Sequence, residues 1–354
     1  MTVDWLMTGQ KTIDVTSIGA ANMDTIAQVE EFPEIDGQAP VIHLQYAFGG
    51  SAANMAVACA KLGMKAGFVG RVGADNIGKD MLGNFKAFDI DTSGVIVDAD
   101  LPSGQVFIAV EKSTRKGQKI MYAYPGAPQV LSGADINRAS GVLERSTVVH
   151  MASLRTVEPF EMVARLAKSG SGDFITSFNP GTMISNLGYE GIKDVLDGVD
   201  ILILSRNELE SIFGFAGVEN NVAACFSKTP ARVLAVTFGA RGSNYFTRSY
   251  SSTIVPIFTV PTVNTTGAGD AFCAGFMATF LPAFKEWIGN EGVHGTNREA
   301  FDAFMEAEGK KPDAFRECLR FSNAVSSFVV QSDGAQDNLP AREQVEALLK
   351  STGD

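Results

Sequence analysis

The amino-acid sequence predicts an α/β fold in which helices cover both faces of a doubly wound, mostly parallel sheet. Apolar residues make up 45% of the 354 residues and charged residues 19%, which supplies enough apolar material for a large core. Short, uniformly apolar runs alternate with helical segments, as is typical of parallel strands buried on both faces. These runs lie at 147–151, 173–178, 201–205 and 233–237. Two regions of alternating residues, about 22–48 and 103–124, predict a small separate sheet that acts as a lid over a cleft.

The first third of the chain holds the strands of the predicted lid and the first units of the main sheet. Strands are expected at 14–19, 25–29, 41–46, 66–71, 104–111 and 119–124, with a basic turn at 113–118. A helix is expected over 52–62, because good helix formers lie between Ser51, a suitable N-cap, and Gly63, a suitable end. A second helix is expected over 80–88.

The remainder of the chain is expected to be mainly helical between the buried strands. Helices are predicted at 159–168, 189–196, 207–213, 221–227, 268–280, 315–331 and 343–350. Two runs, 245–248 and 253–258, are interpreted as antiparallel strands. The polar stretch 285–312 is interpreted as an inserted surface loop with some helical content, and residues 1–354 as one domain.

The composition argues against several classes of protein. A net charge of −11 disfavours binding to nucleic acid or to an anionic membrane. The four cysteines lack C-x-x-C spacing and the three histidines are far apart, so reduced buried thiols are expected and a zinc site is not. No signal-peptide pattern is visible, and the longest uncharged stretch, 271–284, is shorter than the ~20 residues of a spanning helix. A soluble, cytoplasmic protein is expected.

The segment 264–272, Asn-Thr-Thr-Gly-Ala-Gly-Asp-Ala-Phe, carries the strongest chemical signal. It opens a long apolar helix, so its glycines bring backbone N–H groups to a helix N-terminus that favours negative charge. This arrangement suits a phosphoryl group in transfer. Asp270 can then accept the proton of an attacking hydroxyl, which contributes ~10²–10⁴-fold to a rate. The alternative is that Asp270 only stabilises the helix dipole.

Two segments make the chain resemble the PfkB, or ribokinase-like, kinase family. Residues 266–272 (TGAGDAF) are similar to its C-terminal signature, and residues 49–54 (GGSAAN), with the helix that follows, to its N-terminal signature. Shorter matches lie at 19–24, 71–75, 207–210, 237–239 and 334–335. The resemblance implies a ribokinase-like fold and an ATP-dependent kinase for a hydroxyl of a nucleoside or sugar, with ATP and Mg²⁺ as cofactors.

The resemblance also implies roles for individual residues. Asp270 matches the catalytic base, and the backbone of Gly267, Ala268 and Gly269 matches the anion hole. The positions that hold substrate hydroxyls or line the same cleft are Asn22, Asp24, Gly49, Gly50 and Asn54. The positions on the nucleotide side are Asn207, Thr237, Gly239, Gly242 and Asn323. Glu210 matches the carboxylate that organises magnesium through water.

Structural roles stay open for several of these residues. Asn207 could cap its helix, and Glu210 could be an exposed helix residue. Asp24 could be a hydrogen-bonded turn carboxylate, and the pair at 49–50 could be only a tight turn.

Ser51 bears on the acceptor, because ribokinases usually carry lysine at this position. Its presence weakens the case for ribose itself. We favour a nucleoside, since the lid residues Phe48, Phe107 and Ile108 could stack on a base. The alternative is another sugar, as in fructokinase- or ketodeoxygluconate-kinase-like enzymes.

Asn264 is the second departure, because many relatives have aspartate there. In potassium-activated relatives the corresponding loop binds a monovalent cation. The matching residues here are Asn264, Thr266, Gly334 and Asn338. Asparagine offers a carbonyl oxygen without a charge, so a weaker K⁺ site is expected.

Two other functions fit parts of the sequence. Residues 73–80 (GADNIGKD) nearly match a P-loop, but Asp80 replaces the Ser/Thr that should bind magnesium and Asp75 would repel phosphate. Lys79 is therefore expected at the surface. A non-catalytic ligand sensor could use the same cleft, although the retained Asp270 argues against it. The edge strands of the lid could pair across a homodimer.

Overall fold

The computed structural model describes residues 11–112, 118–215, 217, 221–311 and 313–352. Its strands are β1 (Ile13–Ile18), β2 (Asn22–Val29), β3 (Val41–Gly49), β4 (Ala66–Gly73), β5 (Asp91–Asp98), β6 (Gly104–Glu111), β7 (Lys119–Tyr124), β8 (Ser146–Met151), β9 (Ile175–Phe178), β10 (Ile201–Ser205), β11 (Val233–Thr237) and β12 (Ser243–Phe246). They form an eight-stranded sheet and a four-stranded sheet.

The eight-stranded sheet has the order β12-β11-β10-β9-β8-β1-β4-β5. Every neighbouring pair is parallel except β11 and β12, which are antiparallel. Each residue of β8 and β9 is buried, because helices cover both faces of these central strands. The predicted doubly wound sheet is confirmed. Strand β5 was not predicted, since at the sheet edge only Gly94 of its residues is buried and the apolar signal is weak.

The helices lie on both faces of this sheet. They are α1 (Ser51–Lys61), α2 (Asn76–Ala87), α3 (Gly133–Arg138), α4 (Ser140–Glu144), α5 (Glu158–Ser169), α6 (Gly181–Ser185), α7 (Gly188–Leu196), α8 (Arg206–Phe213), α9 (Val222–Ser227), α10 (Ala268–Glu291), α11 (Asn297–Ala307), α12 (Arg316–Val329) and α13 (Arg342–Thr352). None of these described helices has the length and hydropathy that a bilayer crossing requires.

The first helix, α1, begins one residue earlier than expected. Gly50 is its N-cap with φ 93°, a conformation that glycine adopts without strain, and Ser51 is the first helical residue. The prediction that Ser51 caps the helix was therefore wrong. The Ser51 hydroxyl is instead directed at Asp270, to which it donates a hydrogen bond.

The four-stranded sheet is the predicted lid, with the order β3-β2-β6-β7. Residues that pair across strands share a face, so Asp24 lies beside Ala47 of β3 and Val106 of β6. Apolar packing of Met23 and Phe48 against the main core and two side-chain hydrogen bonds are among the described contacts that hold the lid against the main body. Gln45 Nε2 donates to Asp337 Oδ2 over 2.7 Å, and Lys119 Nζ donates to Thr266 Oγ1 over 3.4 Å.

Two expectations for loops and strands differ from the structure, and a third is not tested by the described residues. Much of the stretch 285–312 is helical: α10 continues to Glu291, and α11 packs Phe301 and Phe304 against Phe280 and Phe284 of α10. A polar composition hid these two buried aromatic anchors. The run 253–258 is not a strand and makes one bridge, Ser243 to Val255. The predicted turn at 113–118 lies, apart from its last residue, outside the described residues.

Candidate active site

Two adjacent cavities lie at the carboxyl edge of the main sheet. The first, which we call the lid cavity, has a volume of about 570 Å³ and lies between β2, β6 and β7 of the lid and the loops after β8 and β9. The second, the outer cavity, has a volume of about 370 Å³ and lies beside the loops after β11 and β12. Thr265 and Gly269 line both cavities. The loop before α10 therefore separates two spaces of small-molecule size.

Asp270 lies in the first turn of α10 and faces the lid cavity. Gly267 is the N-cap with φ 81°, and a Cβ atom there would lie 2.6 Å from the Cβ of Ala335, so only glycine fits. The first N–H groups of a helix have no partner within the helix. The Ala268 N–H donates to Thr265 O over 3.3 Å, which leaves the amides of Gly269 and Asp270 better placed to meet an anion.

A chain of amide side chains positions the Asp270 carboxylate. Asn84 Nδ2 donates to Gln336 Oε1 (3.1 Å), Gln336 Nε2 donates to Asn54 Oδ1 (3.0 Å), and Asn54 Nδ2 donates to Asp270 Oδ2 (2.8 Å). Because Gln336 occupies the Asn54 oxygen, the amide nitrogen of Asn54 must point at Asp270. We call these three residues the amide relay. The sequence predicts Asn54 but gives no signal for Asn84 or Gln336.

Burial raises the pKa of Asp270 to about 7. The hydrogen bonds from Asn54 and Ser51 oppose this rise, and the nearby charge of Glu208 adds to it. A carboxyl group with this pKa is partly ionised at neutral pH and returns a proton readily, as a general base requires.

Asp24 projects from β2 into the same cavity and is 7% exposed. Burial raises its pKa to about 7 as well. Within the described part of the chain, its carboxylate receives no hydrogen bond. Gly49 of the paired strand makes room for it, since a Cβ atom there would lie 2.5 Å from Asp24 Oδ2. Asn22 lines the cavity two residues earlier, on the same face of the strand.

Four of the five residues that we expected on the nucleotide side line the outer cavity: Thr237, Gly239, Gly242 and Asn323. The fifth, Asn207, does not. The Asn323 side chain donates to the carbonyls of Val255 (3.0 Å) and Pro256 (3.1 Å) and accepts from Ser243 (3.0 Å). Its polar atoms are thus used to hold the cavity wall together.

Helix α8 places Glu208 at the site, whereas the sequence indicates Glu210. Among the described residues, the linings of the two cavities include Glu208 but neither Asn207 nor Glu210. Asn207 is exposed, and Glu210 lies 3.5 Å from Arg206. Glu208 forms a capping box with Ser205, and burial raises its pKa. The S-x-x-E spacing of 205–208 was the signal that could have identified it.

The loop expected to bind a monovalent cation is assembled from two distant segments. Asn264 Nδ2 donates to Asp333 O (2.8 Å), while its Oδ1 accepts from the Thr266 hydroxyl (2.9 Å) and amide (3.1 Å). Gly334 follows Asp333, and Asn338 Nδ2 donates to Phe328 O (2.6 Å). The side-chain oxygens of Asn264 and Thr266 are therefore already hydrogen-bonded to each other, and a cation would have to be bound mainly by backbone carbonyls and the Asn338 oxygen.

The segment that resembles a P-loop is closed by its own residues. Asp75 accepts hydrogen bonds from Gly78 N (2.8 Å), Ser103 N (2.8 Å) and Ser103 Oγ (2.7 Å). The amides that would cradle a phosphate thus face a carboxylate. Lys79 is exposed on the outer side of α2. The geometry leaves no phosphate cradle in this segment.

The three lid residues expected to stack on a base do not line the lid cavity. Phe107 pairs with Thr25 and Tyr122, one position beyond Asp24 in the ladder, so it points to the opposite, solvent-facing side. Ile108 is buried in the small core of the lid, and Phe48 packs against the main core. The larger apolar groups that do line the cavity include Val106, Met121, Tyr124, Leu154 and Met183.

The fold and the site together define a small-molecule kinase. A lidded cavity, a glycine loop at a helix N-terminus and a carboxyl group poised near neutral pH lie beside a second cavity of nucleotide size.

Comparison with known proteins leads to the same class. Residues 12–342 match the pfkB family of carbohydrate kinases. The chain is 26% identical to the ribokinase of Haemophilus influenzae over 95% of this chain and 98% of that one. It is 30% identical to the ATP-dependent ribose-1-phosphate kinase of Halopiger xanaduensis over 76% and 85%. The structure of Arabidopsis thaliana ribokinase with ribose and ATP superposes with a TM-score of 0.74 at 25% identity, over 96% of this chain and 99% of that one. The chain belongs to the pfkB family of carbohydrate kinases, which are phosphotransferases with an alcohol group as acceptor.

Proposed function

We propose that the protein transfers the γ-phosphoryl group of ATP to a hydroxyl of a sugar or nucleoside, with Asp270 as the general base. The position and pKa of Asp270 carry this proposal. Its carboxylate faces the lid cavity, while Gly269, one residue earlier, lines both cavities. A hydroxyl bound under the lid would therefore meet the base and the anion-binding amides at one place.

The outer cavity is the proposed ATP site. Its lining is open and weakly polar around Thr237, Gly239 and Gly242, as a purine and ribose require. The Arabidopsis ribokinase structure contains ATP, which supports ATP as the donor. Glu208 and Glu210 on α8 are the proposed carboxylates for the waters of a Mg²⁺ ion, which would neutralise phosphate charge. A K⁺ ion at the loop of Asn264 and Gly334 is a weaker proposal, because asparagine lacks a charge.

The lid cavity is the proposed acceptor site. Asp24 can accept two hydrogen bonds from adjacent hydroxyls, and Asn22 can bind a third. The preference for a nucleoside has lost the support of Phe107, which faces away from the cavity. A sugar acceptor, as in ribokinase or fructokinase, fits the same volume. A ligand sensor without catalysis is disfavoured, because a non-catalytic protein could lose the Asp270 carboxylate that this chain retains beside its anion-binding loop.

A second copy of the chain is the proposed partner of the lid. A row of side chains, Tyr46, Thr25, Phe107 and Tyr122, crosses the outer face of the lid sheet. Tyr46 is 67% exposed and Tyr122 65%, and such contiguous apolar surface marks an interaction site. We also propose a cytoplasmic location, which is supported by four buried, unpaired cysteines.

The test is ADP release over a panel of sugars and nucleosides, with wild type and Asp270→Asn. The variant should bind ATP normally, and its kcat should fall by ~10²–10⁴-fold, because an amide cannot accept the proton. ATP affinity by titration calorimetry and the thermal midpoint are the controls for folding. If Asp270→Asn keeps most of the wild-type turnover, Asp270 is only a partner of the helix dipole.

A further inference from the structure

The charges that line the lid cavity are unequally distributed. Three carboxylates, Asp24, Glu208 and Asp270, face the cavity. Among the described lining residues, Arg155 is the only one with a cationic side chain. Ser51 leaves the position beside the double glycine without a charge. Lys119 reaches the edge of the cavity, where its Nζ donates to Thr266 Oγ1 over 3.4 Å, so among the described residues Arg155 is the cationic side chain that lines the cavity itself.

The Arg155 guanidinium has no partner among the described residues. It forms neither an ion pair nor a hydrogen bond with them, although three carboxylates line the same cavity. The Arg155 side chain is exposed and lies on the loop after β8, whereas the three carboxylates lie on β2, α8 and α10. The guanidinium is therefore available to a ligand and comes from a different element from the base and from Asp24.

Two neighbouring loops build this part of the cavity. Strands β8 and β9 are adjacent and parallel, with Met151 opposite Phe178, so the loops that follow them lie side by side. Arg155 follows β8 by four residues, and Thr182 follows β9 by four residues. Ser153 approaches Gly181 so closely that a Cβ atom on the glycine would lie 2.6 Å from the serine hydroxyl. The hydroxyls of Ser153 and Thr182 have no described hydrogen-bond partner and line the cavity with Arg155.

We propose that Arg155, with Ser153 and Thr182, binds an anionic group of the acceptor, a phosphate or a carboxylate, at the end of the molecule remote from the hydroxyl that is phosphorylated. This inference rests on the proposed function. It narrows the acceptor from any sugar or nucleoside to one that carries a negative charge.

The chemistry of arginine favours an anion over a neutral polyol. A guanidinium presents paired N–H groups that match the oxygens of a phosphate or carboxylate, and such charge-assisted bonds are about twice as strong as neutral ones. The protein's overall charge of −11 repels anions, so a local cation is needed to bind an anionic acceptor. A neutral sugar would leave the Arg155 guanidinium, the one cationic side chain among the described lining residues, without a function in binding.

The experiment compares matched acceptors that differ in one charge. Ribose 1-phosphate and ribose 5-phosphate are compared with ribose for the phosphate arm, and gluconate with glucose for the carboxylate arm. For each acceptor, kcat/KM is measured with wild type, Arg155→Gln and Arg155→Lys. Arg165→Gln, which removes an exposed arginine of α5, is the matched control.

Wild type should prefer one charged acceptor over its neutral counterpart by at least ~10-fold. Arg155→Gln should lower kcat/KM for that acceptor by about 10- to 10²-fold, the worth of one hydrogen bond to a charged group. It should change the value for the neutral counterpart by less than about threefold. The kcat/KM of Arg155→Lys for the charged acceptor should lie between those of wild type and Arg155→Gln, because lysine keeps the charge but loses the paired N–H geometry.

The inference is overturned if wild type prefers the neutral acceptors. It is also overturned if Arg155→Gln lowers kcat/KM equally for charged and neutral acceptors. Binding of the same acceptors by calorimetry without ATP separates this inference from the proposed function. Arg155-dependent binding of an anionic acceptor without any turnover would refute the kinase mechanism and support the anion site. Turnover of neutral acceptors alone would support the kinase mechanism and refute the anion site.

Discussion

The amide relay predicts how the pH dependence of the enzyme responds to one isosteric change. In Gln336→Glu, a carboxylate replaces the amide that now donates to Asn54 Oδ1. Asn54 would turn its amide nitrogen to the new carboxylate and present its oxygen to Asp270. The bond that now stabilises ionised Asp270 over 2.8 Å would become a repulsion. The pKa of Asp270 should therefore rise further above its present value of about 7.

The size of this rise follows from the bond that is lost. A hydrogen bond to a charged group contributes about 1.5–3 kcal/mol, which corresponds to about one to two pH units. Since the base must be deprotonated to act, the acid limb of kcat should move from about pH 7 to about pH 8–9. At pH 7 the ionised fraction, and with it the rate, would fall by about 5- to 50-fold.

The assay is the pH profile of kcat for ADP release at saturating acceptor, because kcat/KM would also report the ionisation of Asp24 in acceptor binding. Gln331→Glu is the matched control: it adds the same charge to the exposed end of α12, where Gln331 donates to Ser327 O rather than to the relay. The rate of Gln336→Glu should recover above about pH 9. An unshifted acid limb, or a loss that is equal at every pH, would refute the role of the relay.

Three further predictions address other parts of the molecule. Lys79→Ala should leave kcat nearly unchanged, because Lys79 is exposed and Asp75 fills its loop; a collapse of turnover would restore the P-loop interpretation. Glu210→Gln should raise the Mg²⁺ concentration for half-maximal rate, and an unchanged titration would make Glu210 only a partner of Arg206. Burial lowers the pKa of His150 to about 3, so protonation of the unfolded chain should reduce stability by about 1.4 kcal/mol per pH unit as pH falls from about 6.5 towards 3. The urea midpoint of His150→Asn should depend less on pH than that of wild type.

The sequence predicts the features of the fold that depend on local pattern. The buried runs of the main sheet are uniformly apolar, and the alternation in 104–111 and 119–124 identifies the lid strands with their observed bounds. The glycine loop and Asp270 are also recognisable, because backbone approach to an anion demands glycine at particular places in the chain. Gly267 illustrates this, since its φ of 81° and its contact with Ala335 allow no side chain.

The features that escaped prediction depend on contacts between distant residues. Asn54 and Asp270 are 216 positions apart, and Gln336 and Asn54 are 282 apart, so no spacing in the sequence reveals the relay. The side of the lid on which Phe107 lies depends on its register with Thr25, which composition does not encode. The helix α11 was obscured by charged residues, although its buried aromatic side chains bind it to α10.

Asp24 allows acceptor binding to be separated from catalysis, because two carboxyl groups with similar pKa values have different tasks. Burial alone raises the pKa of Asp24 to about 7, and an ionised carboxylate accepts hydrogen bonds from both hydroxyls of a diol, whereas a protonated one accepts fewer. Binding of a neutral acceptor such as ribose should therefore weaken as pH falls through 7, by up to about tenfold per unit. Asp24→Asn should bind more weakly at pH 8 and lose this dependence, while the acid limb that belongs to Asp270 stays in kcat. Calorimetric acceptor titrations between pH 5.5 and 8.5, roughly one and a half units on either side of the pKa, decide the matter. A dependence that persists in Asp24→Asn would mean that the acceptor hydroxyls lie elsewhere.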